Sequence, residues 1–253
     1  MGFLQMMSPL RKTTLALAAV AVSLLPACAQ PGGDADKAEI EKIVREYILE
    51  NPELIEEAIY ALQDKRDAAK ADLVRSAITA NKDALYAHAG DYAIGPADAA
   101  VTIVEFFDYR CGYCKRSVDW VQKLPAKYDG EVRVVFKELP IFGGISETAA
   151  LAALAAGKQG KYWEFHSALM KIENNADLTE AKIDETAASI GLNVSKLRAD
   201  MKGQAVQKQL ADMKSLGAAL SVTGTPAFFI GDTHIEGANI PVIEKAIEDA
   251  LKS

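Results

Sequence analysis

The sequence contains few of the residues that usually build metal centres. Its 253 residues include three cysteines and three histidines. The histidines, His88, His166 and His234, do not form the paired ligand spacings of a zinc site, and a structural zinc usually needs a second pair of ligands. We therefore do not expect a zinc centre.

Charged residues form no long run of one sign. The formal net charge is −7, from 28 basic and 35 acidic residues, and no block of Lys and Arg predicts a nucleic-acid groove. With 50% hydrophobic and 25% charged residues, the composition is that of an ordinary globular protein with a real core. Nucleic acid is not an expected partner.

No apolar run is long enough to span a bilayer, which takes about 20 residues. The run from Leu15 to Leu25 follows Arg11 and Lys12 and precedes small residues. This order is typical of a signal peptide, here over residues 1–29. We expect the chain to be exported to the periplasm.

The end of this segment allows two outcomes. The triplet "ACA" at 27–29 resembles a cleavage site that releases a soluble protein, whereas "LPAC" at 25–28 resembles a lipobox that would lipidate Cys28 and give an outer-membrane lipoprotein. In either outcome Cys28 offers no free thiol, because it is removed with the signal peptide or carries a lipid. Cys111 and Cys114 then remain as the thiols, in an oxidising compartment.

Residues 30–90 are predicted to form a tether and a helical segment. Apolar residues recur at helical spacing between Ile40 and Ile48. Asn51 is predicted as the N-cap and Pro52 as the first residue of a second helix that runs to about Ala80. The apolar stripe of that helix consists of Leu54, Ile55, Ala58, Ile59, Leu62, Ala69, Leu73 and Ile78.

This stripe must be covered, because a long apolar face outside a compact fold is unfavourable in water. The helix could pack on its own globular domain, or it could associate with copies of the chain as an oligomerisation segment; we favour the second. A hinge near Gln63–Ala71 is a further hypothesis.

Residues 91–253 have the pattern of an α/β domain. The stretch "AVTIVEFFDY" predicts a buried strand, a helix interrupted near Pro125 follows, and residues 131–141 predict a second strand. Strand, helix and strand in this order indicate a parallel βαβ unit. Helices between 145 and 220, a hairpin over 226–237 turning at Gly231-Asp232, and a terminal helix complete the pattern.

The motif "RCGYCKR" places two cysteines at the start of a predicted helix. There the backbone N–H groups and the helix dipole stabilise a thiolate, and Arg110, Lys115 and Arg116 should add positive potential. Cys111 is thus the predicted nucleophile, and Cys114, one turn further in, is the more buried resolving thiol.

The motif allows two other uses. A purely structural disulfide between these cysteines would close so small a loop that it would constrain the unfolded chain little. A Cu(I) site at Cys111 and Cys114 is chemically reasonable because soft thiolates suit Cu(I), although no Met or His cluster accompanies the pair.

The stretches "FFDYRCGYC" and "GTPAFFIG" resemble the DsbA-like branch of the thioredoxin superfamily over about residues 91–253. The resemblance implies an α/β, thioredoxin-like fold with an inserted helical subdomain at about 142–220, and no cofactor. It also implies that Pro226 is a cis-proline facing the disulfide. The backbone of Thr225 would then pair with substrate. Glu105 matches the buried acid that moves protons to and from the inner cysteine.

Two stretches indicate the direction of the redox reaction. With Gly112 and Tyr113 between the cysteines, the motif resembles that of disulfide isomerases, because Tyr113 lacks the cationic support of the histidine in the strongly oxidising DsbA. The segment "IEKIVREYILENPELIEEAIYALQ" is similar to the N-terminal segment of the suppressor-of-copper-sensitivity C (ScsC) proteins, some of which form trimers.

These resemblances imply a periplasmic disulfide isomerase or reductase that acts on exported proteins as a homo-oligomer, with the trimer of some ScsC proteins as the expected form. An isomerase must be kept reduced, so a membrane thiol reductant of the DsbD-like or ScsB-like type is an expected partner. The alternatives are a DsbA-like dithiol oxidase and a Cu(I)-binding protein of copper tolerance.

Overall fold

A computed structural model describes residues 34–252. The predicted signal peptide, both outcomes at its end, and Cys28 lie outside the described residues. The chain divides into two compact units, which meet in sequence between Tyr60 and Ala61. Among the described residues, no helix is both long enough and apolar enough to cross a membrane.

The predicted N-terminal helices are present. Helix α1 spans Asp34–Glu50 and helix α2 spans Glu53–Ala80. The Asn51 side chain makes its hydrogen bond to the end of α1, from Nδ2 to the carbonyl oxygen of Tyr47 at 2.8 Å, and does not cap α2, which begins at Glu53 and not at Pro52. Helix α2 is continuous through Gln63–Ala71, so the proposed hinge is not a break in the helix.

The second unit is built on one mixed five-stranded sheet with strand order β1-β3-β2-β4-β5. The strands are β1 (Tyr92–Ile94), β2 (Val101–Phe107), β3 (Val132–Glu138), β4 (Ala227–Ile230) and β5 (Thr233–Glu236). β2 and β3 are parallel, and the other neighbours are antiparallel. The predicted βαβ unit and hairpin are both confirmed.

Two sequence expectations about this unit were wrong. The edge strand β1 was missed, because three residues between glycines give too short a pattern to recognise. Helix α4 (Gly112–Lys127) is not interrupted at Pro125 but runs through it. Pro125 lies in the last turn, where the missing N–H removes one backbone hydrogen bond and the helix ends shortly afterwards.

Helices cover both faces of the sheet. After α3 (Lys82–Tyr86) and α4, the block between β3 and β4 contains five α-helices, and α10 closes the fold. The five are α5 (Ile145–Gly157), α6 (Tyr162–Met170), α7 (Glu180–Ser189), α8 (Val194–Lys202) and α9 (Gln204–Ala219), and α10 is Ile240–Ala250.

The alternating strand residues divide the core into two clusters. On one face Ile103, Phe107 and Phe136 pack with α4 and the helical block. On the other, Val104 and Phe106 pack with Ile78 and neighbouring residues from the end of α2. The predicted stripe of α2 is therefore covered only at this end. Leu73, placed in the same stripe, is 73% exposed.

Candidate active site

Cys111 lies at the junction of the central strand and helix α4. β2 ends at Phe107, and the backbone N–H of Cys111 donates to the carbonyl oxygen of Asp108 at 3.0 Å. Cys111 is the N-cap residue of α4, and its own carbonyl accepts from Lys115 N at 3.1 Å. This geometry places the sulfur at the positive end of the helix dipole, as the sequence predicts.

The cis peptide bond between Thr225 and Pro226 brings a second segment to Cys111. The Cys111 thiol donates to the carbonyl oxygen of Thr225 at 3.0 Å. Cys111 is 5% exposed, so its sulfur sits between the helix start and this loop. The resemblance implied both the cis bond and this juxtaposition.

Hydrogen bonds to the thiolate lower the pKa of Cys111 to about 5. The largest cause is the bond from the Cys114 thiol, and the Thr225 side chain and the backbone N–H groups of Cys114 and Tyr113 add to it, while burial opposes it. The carbonyl of Thr225 accepts only from the protonated thiol, so it is the Thr225 hydroxyl that favours the thiolate. That hydroxyl is buried and has no hydrogen-bond partner among the described residues, so it is free to donate to the Cys111 thiolate.

The flanking cations, which were expected to add positive potential, are not among the largest causes of the lowered Cys111 pKa. The guanidinium of Arg116 stacks over the ring of Tyr113 at 4.4 Å, and that of Arg110 lies 5.7 Å from the ring centre of Phe142. Lys115 Nζ donates to Ile172 O at 2.5 Å and to Asn175 Oδ1 at 2.6 Å. Of these cations, Lys115 interacts with the charge of Cys111, but hydrogen bonds are the main cause of the lowered Cys111 pKa.

Cys114 is the more buried of the two thiols, as predicted. It is 1% exposed. Burial raises the pKa of Cys114 far above its ordinary value, and its hydrogen bond to Cys111 and the nearby charges of Glu105 and Cys111 raise it further. The two thiols of one motif therefore differ strongly in acidity.

Glu105 is buried in the central strand, as predicted. It is 4% exposed and is paired in register with Phe136 of β3 and Phe228 of β4. Burial raises the pKa of Glu105 to about 8, and the charge of Cys111 adds to this rise. A carboxyl group with this pKa can gain or lose a proton near neutral pH.

Gly112 and Tyr113 lie on the surface between the cysteines. Tyr113 is 62% exposed, and Gly112 is also exposed. The site thus brings together all of the residues that the sequence singled out: Glu105, Cys111, Gly112, Tyr113, Cys114, Thr225 and Pro226.

Two polar clusters beside the site were missed by the sequence analysis. Asp108 accepts from Arg110 N, Phe142 N and Ser146 Oγ at 2.7, 3.2 and 2.8 Å, which ties the loop after β2 to the start of α5.

A second cluster joins Tyr109, Glu138, Tyr162 and His166. The partners are separated by up to 57 positions in sequence, so no local pattern could reveal them.

The buried Glu138 cluster anchors the loop that carries Cys111. Tyr109 and Tyr162 both donate to Glu138 Oε1, at 3.2 and 2.9 Å. Burial raises the pKa of Glu138 well above its ordinary value and lowers the pKa of His166 to about 3. His166 is thus neutral at physiological pH and packs as an aromatic ring.

Between residues 34 and 252, no group of three or more His, Cys, Asp or Glu side chains is arranged to hold a metal ion. The donor set at the motif is the pair of free thiols, Cys111 and Cys114. Such a pair could take a soft ion such as Cu(I).

One family model matches more than half of the chain and so establishes the family. The model of the DSBA-like thioredoxin domain matches residues 102–248. The chain belongs to the DSBA-like thioredoxin domain family. A second model, the copper resistance protein ScsC N-terminal domain, matches residues 36–69, which confirms the predicted ScsC-like character of the segment.

Solved structures resemble this DsbA-like, ScsC-like chain over most of its length. A linker-deletion mutant of Proteus mirabilis ScsC is 29% identical, covers 88% of this chain and 99% of its own, and has a TM-score of 0.65. That protein is also known in transitional and compact conformations. A thioredoxin-like oxidoreductase from Silicibacter pomeroyi DSS-3 is 37% identical over 68% of this chain and 99% of its own, with a TM-score of 0.64.

Curated relatives are of two kinds. Disulfide bond formation protein D of Bacillus subtilis is 27% identical over 64% of this chain and 78% of its own. Two Na(+)/H(+) antiporters, from Salinispora tropica and Salinispora arenicola, also match. This DsbA-like chain spans about a quarter, 25%, of their length.

Proposed function

We propose that this protein is a periplasmic thiol–disulfide oxidoreductase that works mainly as a disulfide isomerase or reductase on exported proteins. One observation carries the proposal. Cys111 caps helix α4 with a pKa lowered to about 5, beside a second thiol whose pKa is raised. Such a pair gives one thiol that is a reactive thiolate at neutral pH and a second thiol that stays protonated until it resolves the mixed disulfide.

In the first step the Cys111 thiolate attacks a disulfide of the substrate. A bond forms between Cys111 Sγ and one substrate sulfur, the substrate disulfide breaks, and the other substrate sulfur leaves as a thiolate. Pairing of the extended substrate with the backbone at Thr225 would align the disulfide, because the Thr225 carbonyl already faces Cys111 at 3.0 Å. Gly112 and Tyr113 form the adjoining exposed surface.

The mixed disulfide can then resolve in two ways. In reduction, Cys114 loses its proton, attacks Cys111 and releases the reduced substrate, so two electrons pass from the protein to the substrate. The ionised form of Glu105 would accept that proton, since a carboxylate with a pKa of about 8 is a stronger base than an ordinary one and its charge acts on Cys114. In isomerisation, a substrate thiolate attacks instead and Cys111 is regenerated without net electron transfer.

The N-terminal helices supply the proposed route to isomerisation. Large apolar side chains of α1 and the first half of α2 are exposed by 36–71%: Ile40, Ile43, Val44, Tyr47, Leu49, Leu54, Ile55, Ile59 and Tyr60. Covering one such side chain contributes roughly 1.5–3 kcal/mol, so this face favours self-association. We propose a homo-oligomer, with a trimer as the working hypothesis, whose catalytic units face a shared substrate.

The proposed division of the chain follows from this arrangement. Residues 1–29 form the signal peptide, 30–90 the tether and oligomerisation segment, and 91–253 the DsbA-like domain with a helical insertion at about 142–220. The transitional and compact conformations known for Proteus mirabilis ScsC favour movement between the two parts of this chain as well. Because helix α2 is continuous through Gln63–Ala71, a hinge there would require that stretch of the helix to bend or open.

The proposed partners follow from the chemistry. Each reductive turnover leaves Cys111 and Cys114 as a disulfide, so a dithiol donor must restore them, and a membrane reductant of the DsbD-like or ScsB-like type fits this need. The protein would act in the periplasm, released in soluble form or anchored to the outer membrane through Cys28.

A direct test uses refolding of scrambled RNase and reduction of insulin with purified protein. We expect Cys111→Ser to lose both activities, while Cys114→Ala accumulates mixed disulfides with substrate. Retention of activity by Cys111→Ser would overturn the mechanism. Redox potential and the in vivo oxidation state separate an isomerase from a dithiol oxidase of the DsbA type.

A second candidate function is Cu(I) binding by Cys111 and Cys114. The two free thiols and the family description of residues 36–69 favour it. Binding would require both thiols to lose their protons, which is unfavourable for Cys114. Cu(I) affinity against a competing chelator, compared between the wild type and Cys114→Ser, tests it.

A further inference from the structure

Five side chains form a collar around the mouth of the site, which we call the cationic–aromatic collar: Arg110, Tyr113, Lys115, Arg116 and Phe142. Tyr113 and Phe142 are 62% and 52% exposed. Each aromatic ring carries a guanidinium group, Arg116 over Tyr113 and Arg110 beside Phe142. Stacking on a ring orients a guanidinium while leaving its edge free to bind a carboxylate.

The cations of the collar are not neutralised by the protein itself. Between residues 34 and 252, no carboxylate oxygen lies within salt-bridge distance of Arg110, Lys115 or Arg116. Lys115 is held by uncharged oxygens of Ile172 and Asn175, and the charge of Asp108 acts on it without a salt bridge. Arg110 Nε is buried and has no hydrogen-bond partner.

Asn175 fixes the collar on both sides of the motif. Its Nδ2 donates to the carbonyl oxygen of Arg110 at 2.8 Å, and its Oδ1 accepts from Lys115 Nζ at 2.6 Å. One side-chain amide thus holds the residue before Cys111 and the residue after Cys114. The positive groups are placed by the fold rather than left to move freely.

A cleft of about 410 Å³ opens beside Gly112 and continues the collar. Its walls include Lys115, Arg116 and Lys171, together with the carboxylates of Asp119 and Glu173. The chain as a whole carries a net charge of −7, so general attraction cannot draw an acidic ligand here. Any preference for acidic groups must come from these local cations.

We propose that the collar selects polypeptides that carry acidic residues directly beside the cysteine to be attacked. This inference rests on the proposed function and names the substrate class of the same site. The substrate carboxylates pair with Arg110 and Arg116 while the disulfide lies at Cys111, so the acidic flank is held during the exchange. The covalent step is unchanged: two electrons pass from Cys111 and Cys114 to the substrate disulfide.

The test uses three synthetic cyclic peptides, each closed by one disulfide and differing only in having Asp, Asn or Lys on both sides of one cysteine. The second-order rate constant for their reduction by the full-length reduced protein is measured at low and high salt. We expect the rate constant to be highest for the Asp peptide, lower for the Asn peptide and lowest for the Lys peptide. The Asp peptide should react faster than the Lys peptide by at least about fivefold, the factor for one unit-charge pair at about 4 Å in water. High salt should reduce this ratio.

Variants assign the effect to the collar. The double variant Arg110→Glu/Arg116→Glu should abolish or invert the Asp-to-Lys ratio, whereas Lys123→Glu, an exposed site further along α4, should keep it. The ratio compares two peptides on one protein, so any change in the Cys111 pKa cancels. Equal rates for the three peptides, or an unchanged ratio in the double variant, would overturn this inference. Failure to reduce any peptide would contradict the proposed function instead.

Discussion

The two parts of this chain use apolar residues in opposite ways. In β2, six of seven residues are buried, and the strand lies between two layers of helices. In α1, Ile40, Ile43 and Tyr47 are 58–60% exposed although they recur at helical spacing. The continuous apolar run of β2 and the periodic apolar pattern of α1 each predict the element correctly, and only the packing around the element distinguishes a core from an exposed face.

The two regions have different proposed roles: thiol chemistry for the residues around Cys111, and self-association for the N-terminal helices. The residues around Cys111 set the acidity of the two thiols by hydrogen bonding and burial, which are properties of a single catalytic unit. The exposed face of α1 and α2 adds nothing to that acidity. Substitutions in the two regions should accordingly affect different measurements.

The largest effect is expected at the nucleophile. Cys111→Ser should lower the rate of insulin reduction to the background, because no other described residue offers a thiolate at neutral pH, while the mass of the assembly stays unchanged. Turbidity of insulin and light scattering measure the two properties. Dissociation of the assembly by this substitution would show that the two regions are not independent.

A large effect on the molar mass, without loss of insulin reduction, is expected for substitutions in α1. The double variant Ile43→Glu/Tyr47→Glu places two charges on one exposed apolar face and should lower the molar mass and the rate of scrambled-RNase refolding while insulin reduction remains. The matched control is Arg45→Glu on the same helix. Equal loss of both activities in the double variant would count against a separate assembly role.

A smaller effect is expected for Glu105→Gln. The folded pKa of about 8 exceeds the ordinary 4.5, so between these values the folded protein holds a proton that the unfolded chain has lost. Stability falls with rising pH in this window, by on the order of 1.4 kcal/mol per pH unit at most. The variant should remove this slope and be more stable than the wild type at pH 8 but not at pH 4. Urea unfolding at both pH values tests this, with the exposed Glu131→Gln as the control.

The smallest effect is expected for Thr225→Val. This nearly isosteric change removes the hydroxyl that favours the Cys111 thiolate but keeps the backbone carbonyl. The pKa of Cys111 should rise, and by less than in Cys114→Ala, since the bond from Cys114 is the largest cause of the lowering. Ultraviolet absorbance of the thiolate during a pH titration reports both values. A larger rise in Thr225→Val than in Cys114→Ala would reverse the assigned order.

Sequence reasoning identified the elements with strong local patterns. The strand before Cys111, the hairpin turn at Gly231 and the burial of Glu105 were all predicted, because each depends on a short run of apolar residues around it. The edge strand β1 and the unbroken passage of α4 through Pro125 were not. In both cases long-range packing against β3 and the sheet outweighs a weak or contrary local pattern.

The site itself was predicted in its residues but not in its electrostatics. The backbone N–H groups at the start of α4 were expected to lower the Cys111 pKa, with the flanking cations adding to them, and those N–H groups do contribute. The largest cause, the bond from the Cys114 thiol, and the further bond from Thr225 were not foreseen. Thr225 lies 114 positions from Cys111, and the stacking of Arg110 on Phe142 likewise joins distant segments. Such contacts depend on the folded arrangement and leave no spacing that could be recognised in advance.

We propose that the catalytic unit performs thiol exchange and that the N-terminal helices turn it into an isomerase by self-association. The most direct measurement compares residues 30–253 with residues 61–253, the second compact unit, by light scattering and by scrambled-RNase refolding. We expect the longer protein to be an oligomer that isomerises and the shorter one to be a monomer that reduces insulin but does not isomerise. Two monomers with equal isomerase activity would contradict the account.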